Sequence, residues 1–307
     1  MSRLLAGLTA ASSMALLLLS CAPAREIPEP QDRPIEGRMI ERDAELRMQA
    51  EAVGGGPPVV LIGGGLTGWA SWEPHAARLA ATRTAVRLQL ISVQYGLEDR
   101  PLPPGYSIRL ESRALAGALD ALQLREPLDL VAWSYGALAT LDFALDHPER
   151  VRSLVLIEPP AIWVLSAQGR DDPEVRSLEA LGRGLKHEIT EADLERFVTM
   201  VGLVPPATRP QELPQWPVWM RHRRSLRQGA AAVDHHDDPS RLRDFAQPVL
   251  LVTGTGTAPF LRRIHEILAQ ELPRARTAEM PAGHAPHLVS ADRFLAELAA
   301  FHARGQP

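Results

Sequence analysis

Apolar residues are distributed along this chain in two alternating patterns. Val59 to Ile62 is a short continuous apolar run of the kind a buried strand shows, and Leu128 to Trp133, Val151 to Ile157 and Pro248 to Gly254, largely apolar, read as further strands. Between them lie stretches with helical spacing. Ser112 to Leu124 places Leu115, Leu119 and Leu122 on one face, and Tyr135 to Leu145 runs into the breaker His147-Pro148. Pro259 to Gln270 and the closing segment Ala291 to Arg304 are helical in the same sense. Ala85 to Val93, whose apolar residues largely alternate, and a short segment near Arg276 to Met280 add two further strands. Glu45 to Val53 is another, separated from Val59 by the turn-forming Gly54-Gly55-Gly56-Pro57-Pro58. Strands alternating with helices predict an α/β fold: a mostly parallel central sheet with helices on both faces. The alternation breaks between residues 161 and 246. There Asp172 to Leu185 and Glu191 to Val201 are predicted helices, joined through Pro205-Pro206 and Pro214 to Pro217. This stretch is expected to be a helical cap inserted between two parts of the core, residues 41–160 and 247–307.

The first residues carry a different pattern. Arg3 is followed by a mostly apolar stretch, Leu4 to Leu19, too short for a confident membrane span and suited to a signal peptide. It ends in Leu18-Leu19-Ser20-Cys21, which resembles a bacterial lipobox, and Cys21 is the only cysteine of the chain. The resemblance implies cleavage before Cys21, a lipid on its thiol, and a membrane-anchored protein of the cell envelope. An ordinary secretory cleavage near Ala22 or Ala24, or an uncleaved anchor, stays open at this point. Residues 22–40, rich in Pro and charge as far as Pro34, form the expected tether. With one cysteine no disulfide within the chain can form. A net charge of −4 without a run of one sign gives no surface for nucleic acid.

The candidate chemistry lies in the core. The strand Leu128 to Trp133 leads through Ala132-Trp133-Ser134-Tyr135-Gly136 straight into a helix, the context of a nucleophile elbow. On these residues the chain resembles the α/β-hydrolase family, with Ala132 where the usual G-x-S-x-G has its first glycine. The resemblance implies that Ser134 is the nucleophile, and a serine there argues against the dehalogenase and epoxide hydrolase branches, which use Asp. Gly63-Gly64-Gly65-Leu66-Thr67-Gly68 follows the strand Val59 to Ile62 where the family usually has His-Gly and an oxyanion donor. By that alignment Gly65 donates one amide and Tyr135 the second, with Gly64 or Leu66 as alternatives to Gly65. Gly63, Gly65 and Gly68 also fit G-x-G-x-x-G, a weak signal without an acidic partner.

His284, in Ala282-Gly283-His284-Ala285-Pro286-His287, stands where the family carries its general base, and His287 is the alternative. Most relatives have an Asp after the strand corresponding to 248–254, but Thr257 occupies roughly that place. Some members carry the acid after the preceding strand instead, and Glu158 in Ile157-Glu158-Pro159 offers a carboxylate there. The order Ser134, Glu158, His284 is the order of the fold. The expected activity is cleavage of an ester-type acyl bond on a small-molecule substrate, through an acyl-enzyme and with no metal or organic cofactor. A catalytically inactive binding lipoprotein is the alternative, motivated by Thr257 and Ala132. Trp163, Trp216 and Trp219 suit either an apolar substrate site or cap packing. His235-His236-Asp237-Asp238 reads as a polar connection rather than a metal site, because neighbouring ligands rarely reach one ion together.

Overall fold

The computed structural model describes residues 48–169, 173–185 and 188–304. The expected leader, Cys21 and the tether lie outside the described residues. Seven strands form one sheet: β1 (Ala50–Gly54), β2 (Pro58–Ile62), β3 (Thr84–Leu88), β4 (Leu128–Trp133), β5 (Val151–Ile157), β6 (Val249–Gly254) and β7 (Ala275–Met280). Their spatial order is β1-β3-β2-β4-β5-β6-β7, parallel throughout except for the antiparallel edge pair β1 and β3.

The helices, in chain order, are α1 (Glu73–Leu79), α2 (Ile91–Leu97), α3 (Ile108–Ala121), α4 (Ser134–Asp146), α5 (Trp163–Ala167), α6 (Pro173–Gly184), α7 (Glu191–Met200), α8 (Trp216–His222), α9 (Ala231–Asp234), α10 (Ser240–Asp244), α11 (Pro259–Glu271), α12 (Pro286–Val289) and α13 (Ala291–Arg304). None of the described helices is long and apolar enough to cross a membrane.

The central strands are largely apolar because both faces are covered, and the polar exceptions Asp129 on β4 and Arg152 and Ser153 on β5 hydrogen-bond to one another. Val60, Ile62, Leu130, Ala132, Leu154 and Leu156 point to the side packed by α3, α4 and α11, while Val59, Leu61, Val131, Trp133, Val155 and Ile157 meet α1 and α13 on the other. Truncating one fully buried leucine here, such as Leu61 or Leu156, costs on the order of 2–5 kcal/mol.

The strand expected over Ala85 to Val93 is shorter: β3 stops at Leu88 and α2 begins at Ile91. A distant residue decides this. The buried carboxylate of Glu111, on α3, accepts from the amides of Ile91 (3.0 Å) and Ser92 (2.8 Å), satisfying two free donors at the start of α2. Local periodicity carries no trace of that partner.

Between β5 and β6 the chain builds α5 to α10. α7 opens with a reciprocal Thr190/Asp193 cap, and Leu181, Leu185, Ile189, Leu194, Val198, Trp216 and Trp219 gather into a small core of their own with Leu66. Trp163 packs instead into the main core. The three tryptophans are packing residues, and none of them lines the cleft described below.

Candidate active site

Strand register brings the site together. Trp133 pairs with Ile157, and Ile157 with Val252, so Ser134, Glu158 and Thr253 are the next residues on three adjacent parallel strands. They emerge at the carboxyl end of the sheet, where open α/β folds bind ligands. Ser134 has φ 53° and Glu158 φ 46°, left-handed values that are uncommon for residues with a side chain and concentrate at functional sites. At Ser134 the cause is the sharp turn from β4 into α4. Gly136 permits that turn, since a Cβ there would fall 2.1 Å from the Gly63 carbonyl oxygen.

Ser134, His284 and Glu158 form one hydrogen-bonded line. Ser134 Oγ lies 2.8 Å from His284 Nε2, and His284 Nδ1 lies 2.6 Å from Glu158 Oε2. Glu158 is 1% exposed and His284 3%. The imidazole is fixed through its own backbone as well: His284 N donates to the Gly202 carbonyl (2.9 Å), and its carbonyl accepts from Trp133 Nε1 (2.8 Å).

Burying a carboxylate is costly without donors, and Glu158 has them. Oε1 accepts from Thr253 Oγ1 (3.0 Å) and the Gly254 amide (2.8 Å), and Oε2 also accepts from Thr257 Oγ1 (2.8 Å). The threonine at the vacant acid position thus hydrogen-bonds the carboxylate that arrives from the neighbouring strand. Acid sites after β5 and after β6 converge on one point because those strands are adjacent.

His287, the alternative base, is placed elsewhere. It is fully buried among Trp72, Trp133 and Phe294, with no hydrogen-bond partner on either ring nitrogen. Burial drives its pKa far down and keeps it neutral.

Gly65 faces Tyr135, the second residue of α4, whose amide has no helical carbonyl to bond. Gly64, Gly65 and Leu66 border the same cleft as Ser134, Tyr135 and His284. Its volume is roughly 670 Å³ including its mouth, and its other walls are mostly apolar, among them Leu178, Phe197, Val201, Val233, Phe260 and Leu261. One wall residue is polar: Gln228, which sequence reasoning missed because a glutamine in a helical region carries no pattern. Behind Tyr135, its hydroxyl lies 3.0 Å from Tyr106 Oη, and Tyr106 donates to Glu111 (2.7 Å). Burial pushes the Glu111 carboxyl pKa up, against its hydrogen bonds.

His235 and Asp237 come together with Asp142 of α4, the three candidate ligand atoms lying within 4.8 Å of one another. Guanidinium groups already occupy that neighbourhood: Arg241 Nη1 lies 2.8 Å from Asp237 and Arg109 Nη1 3.3 Å from Asp142. The cluster is an ion-pair joint between α4 and the segment before α10. His236 and Asp238 take no part in it.

Residues 59–298 match the family model described as the Alpha/beta hydrolase family. The chain belongs to this family. Its relatives are hydrolases. The 2-hydroxymuconate semialdehyde hydrolase of Pseudomonas sp. (strain CF600) is 34% identical over 145 residues, which are 46% of this chain and 50% of that enzyme. The chain thus spans about half the length of that relative. The pimeloyl-[acyl-carrier protein] methyl ester esterase of Nitrosomonas europaea is 25% identical over 80% of this chain and 95% of its own. Among solved structures, a thermophilic esterase from Thermogutta terrifontis superposes with a TM-score of 0.68 at 18% identity, covering 85% of this chain and 94% of the other. That similarity concerns the fold alone.

Proposed function

We propose that this α/β-hydrolase is a serine hydrolase that cleaves an ester-type acyl bond through an acyl-enzyme. The observation that carries the reading is the unbroken line from Ser134 Oγ through His284 to Glu158, opening onto an apolar cleft. Ser134 attacks the carbonyl carbon as His284 Nε2 takes its proton, and the amides of Tyr135 and Gly65 receive the oxyanion. His284 then returns the proton to the leaving alcohol. Water, activated by the same imidazole, releases the acid and restores Ser134. Glu158 accepts from Nδ1 throughout, which holds the tautomer that leaves Nε2 free to accept. None of these steps calls for a metal or organic cofactor. The inactive-lipoprotein alternative rests on the missing acid at Thr257 and on Ala132; against the first, Glu158 brings a carboxylate within hydrogen-bond reach of both Thr257 and His284.

The test is labelling of the detergent-solubilised full-length chain with a fluorophosphonate, alongside turnover of short-chain p-nitrophenyl esters. Labelling and turnover that both vanish in Ser134→Ala are expected. Absence of both from the wild type would refute the reading. The cap boundaries 161–246, the tether and a lipid on Cys21 that holds the enzyme at the cell envelope belong to the same proposal. Incorporation of a labelled fatty acid that Cys21→Ser abolishes is the check on the anchor.

A further inference from the structure

Gln228 is the one side chain of the cleft wall whose chemistry the scheme above leaves unused. It is 9% exposed, it ends the 3-10 turn at 223–228, and its Oε1 is buried with no hydrogen-bond partner. An unpaired buried amide oxygen costs about 1–3 kcal/mol, a cost removed when a ligand brings the missing donor.

The carboxamide stands over the proposed oxyanion loop. A Cβ on Gly65 would lie 2.6 Å from Gln228 Nε2, 2.8 Å from Oε1 and 2.9 Å from Tyr135 Cβ. A side chain at 65 would press on Tyr135 Cβ and displace the glutamine head, so the lack of one at Gly65 leaves that space to Gln228. The turn is also held firmly. Ser225 Oγ is 3.0 Å from the Leu66 carbonyl, Gly96 of α2 packs on the Ser225 backbone, and Arg227 pairs with Asp99 at 2.9 Å. The backbone of Gln228 therefore keeps a fixed position beside Gly65, while its carboxamide, held by no partner at Oε1, can turn to meet a ligand in the cleft.

We infer that Gln228 is a substrate-positioning residue that accepts a hydrogen bond from an O–H or N–H one or two bonds from the scissile carbonyl. This rests on the serine-hydrolase reading. The favoured substrates are then esters or lactones with an α-hydroxyl or α-acylamino group on an apolar chain. The remaining walls argue for that placement: against Leu178, Phe197, Val233 and Phe260 a polar substituent further along the chain would be buried unpaired, whereas beside Gly65 it meets an acceptor.

The experiment compares ethyl 2-hydroxyoctanoate with ethyl octanoate by proton release, on the full-length chain in detergent. Wild type should favour the hydroxy ester in kcat/KM by about tenfold or more, the size of one well-made hydrogen bond. Gln228→Met, which keeps the volume and loses the acceptor, should bring the ratio close to one, while Gln228→Glu, which still accepts, should retain a preference. A merely structural role would lower both rates together and leave the ratio unmoved. The second arm needs no turnover: calorimetric binding of 2-hydroxyoctanoate against octanoate to Ser134→Ala, with and without Gln228→Met. A preference there that depends on Gln228 supports the inference even if Ser134 resists fluorophosphonate, a result that would count against the hydrolase reading alone. Equal ratios in wild type and Gln228→Met, or equal binding of the two acids, overturn it.

Discussion

Replacing Glu158 by glutamine changes one oxygen into an NH2 and tests the triad without changing its shape. In the native protein both carboxylate oxygens only accept: Oε2 from His284 Nδ1 and Thr257 Oγ1, Oε1 from Thr253 Oγ1 and the Gly254 amide. A glutamine can present its oxygen to one side only. If the oxygen faces Gly254, the NH2 meets His284 and donates to Nδ1. The proton then sits on Nε2, which donates toward Ser134 Oγ instead of accepting from it. If the amide is reversed, His284 keeps its acceptor but NH2 opposes the Gly254 N–H in a site 1% exposed, at a cost of about 1–3 kcal/mol. The first arrangement is therefore favoured, and it is the unreactive one. Loss of an orienting carboxylate in this way lowers kcat by about 10³–10⁴-fold, roughly 4–5.5 kcal/mol in the barrier, in line with measured serine protease cases. Single-turnover and steady-state hydrolysis of a p-nitrophenyl ester, with a melting curve on the same sample, measures it. Activity within tenfold of wild type in a folded Glu158→Gln protein would show that the carboxylate does not set the tautomer of His284.

Thr257→Val removes one of the donors to Glu158 Oε2 but leaves Thr253 and Gly254, so kcat should fall by about tenfold or less; a loss as large as that of Glu158→Gln would show that the carboxylate cannot hold His284 without the Thr257 hydroxyl. Gly136→Ala puts a methyl on the Gly63 carbonyl, and a destabilisation of about 1–3 kcal/mol, read as a lower Tm together with a lower kcat, is expected. Asp129 gives a pH signature. Burial alone would raise its pKa, but hydrogen bonds from Arg152, Ser153 and Arg83, helped by the charge of His302, outweigh it and hold the carboxyl well below the usual range. Its folded pKa is depressed, so its contribution is complete above the unfolded pKa near 4 and is lost as pH falls toward the folded value. Measured in a His302→Phe background, so that the neighbouring imidazole, whose pKa Asp129 raises, does not titrate in the same range, the stability gap between Asp129 and Asp129→Asn should therefore be level from pH 7 to about 4.5 and narrow below about 4, at up to about 1.4 kcal/mol per pH unit. Chemical denaturation across that range tests the sign, and a gap that widens on acidification would refute it.

Much of the fold was legible locally, because a parallel strand covered on both faces is apolar at most positions and the helices between strands carry one apolar stripe. Val59 to Ile62, Leu128 to Trp133 and Val151 to Ile157 end within a residue of the observed strands. The elbow around Ser134 was legible for a related reason: a strand-to-helix turn of this kind needs small neighbours, and that need is written within five residues, whereas His284 was picked out by its place in the family resemblance.

What the sequence determined by itself was therefore the set of local elements and the residue types able to do acyl chemistry. Tertiary structure decided which of them act on one another, since that depends on approach between positions far apart in the chain. It ended β3 at Leu88 through Glu111, buried His287 beyond use as a base, and turned the three tryptophans to packing. It joined Glu158 to His284 across 126 positions and aimed Thr257 at the same carboxylate. It also set Gln228 over Gly65. No local pattern encodes that contact, because a carboxamide gains its meaning only from the unpaired space into which the fold delivers it.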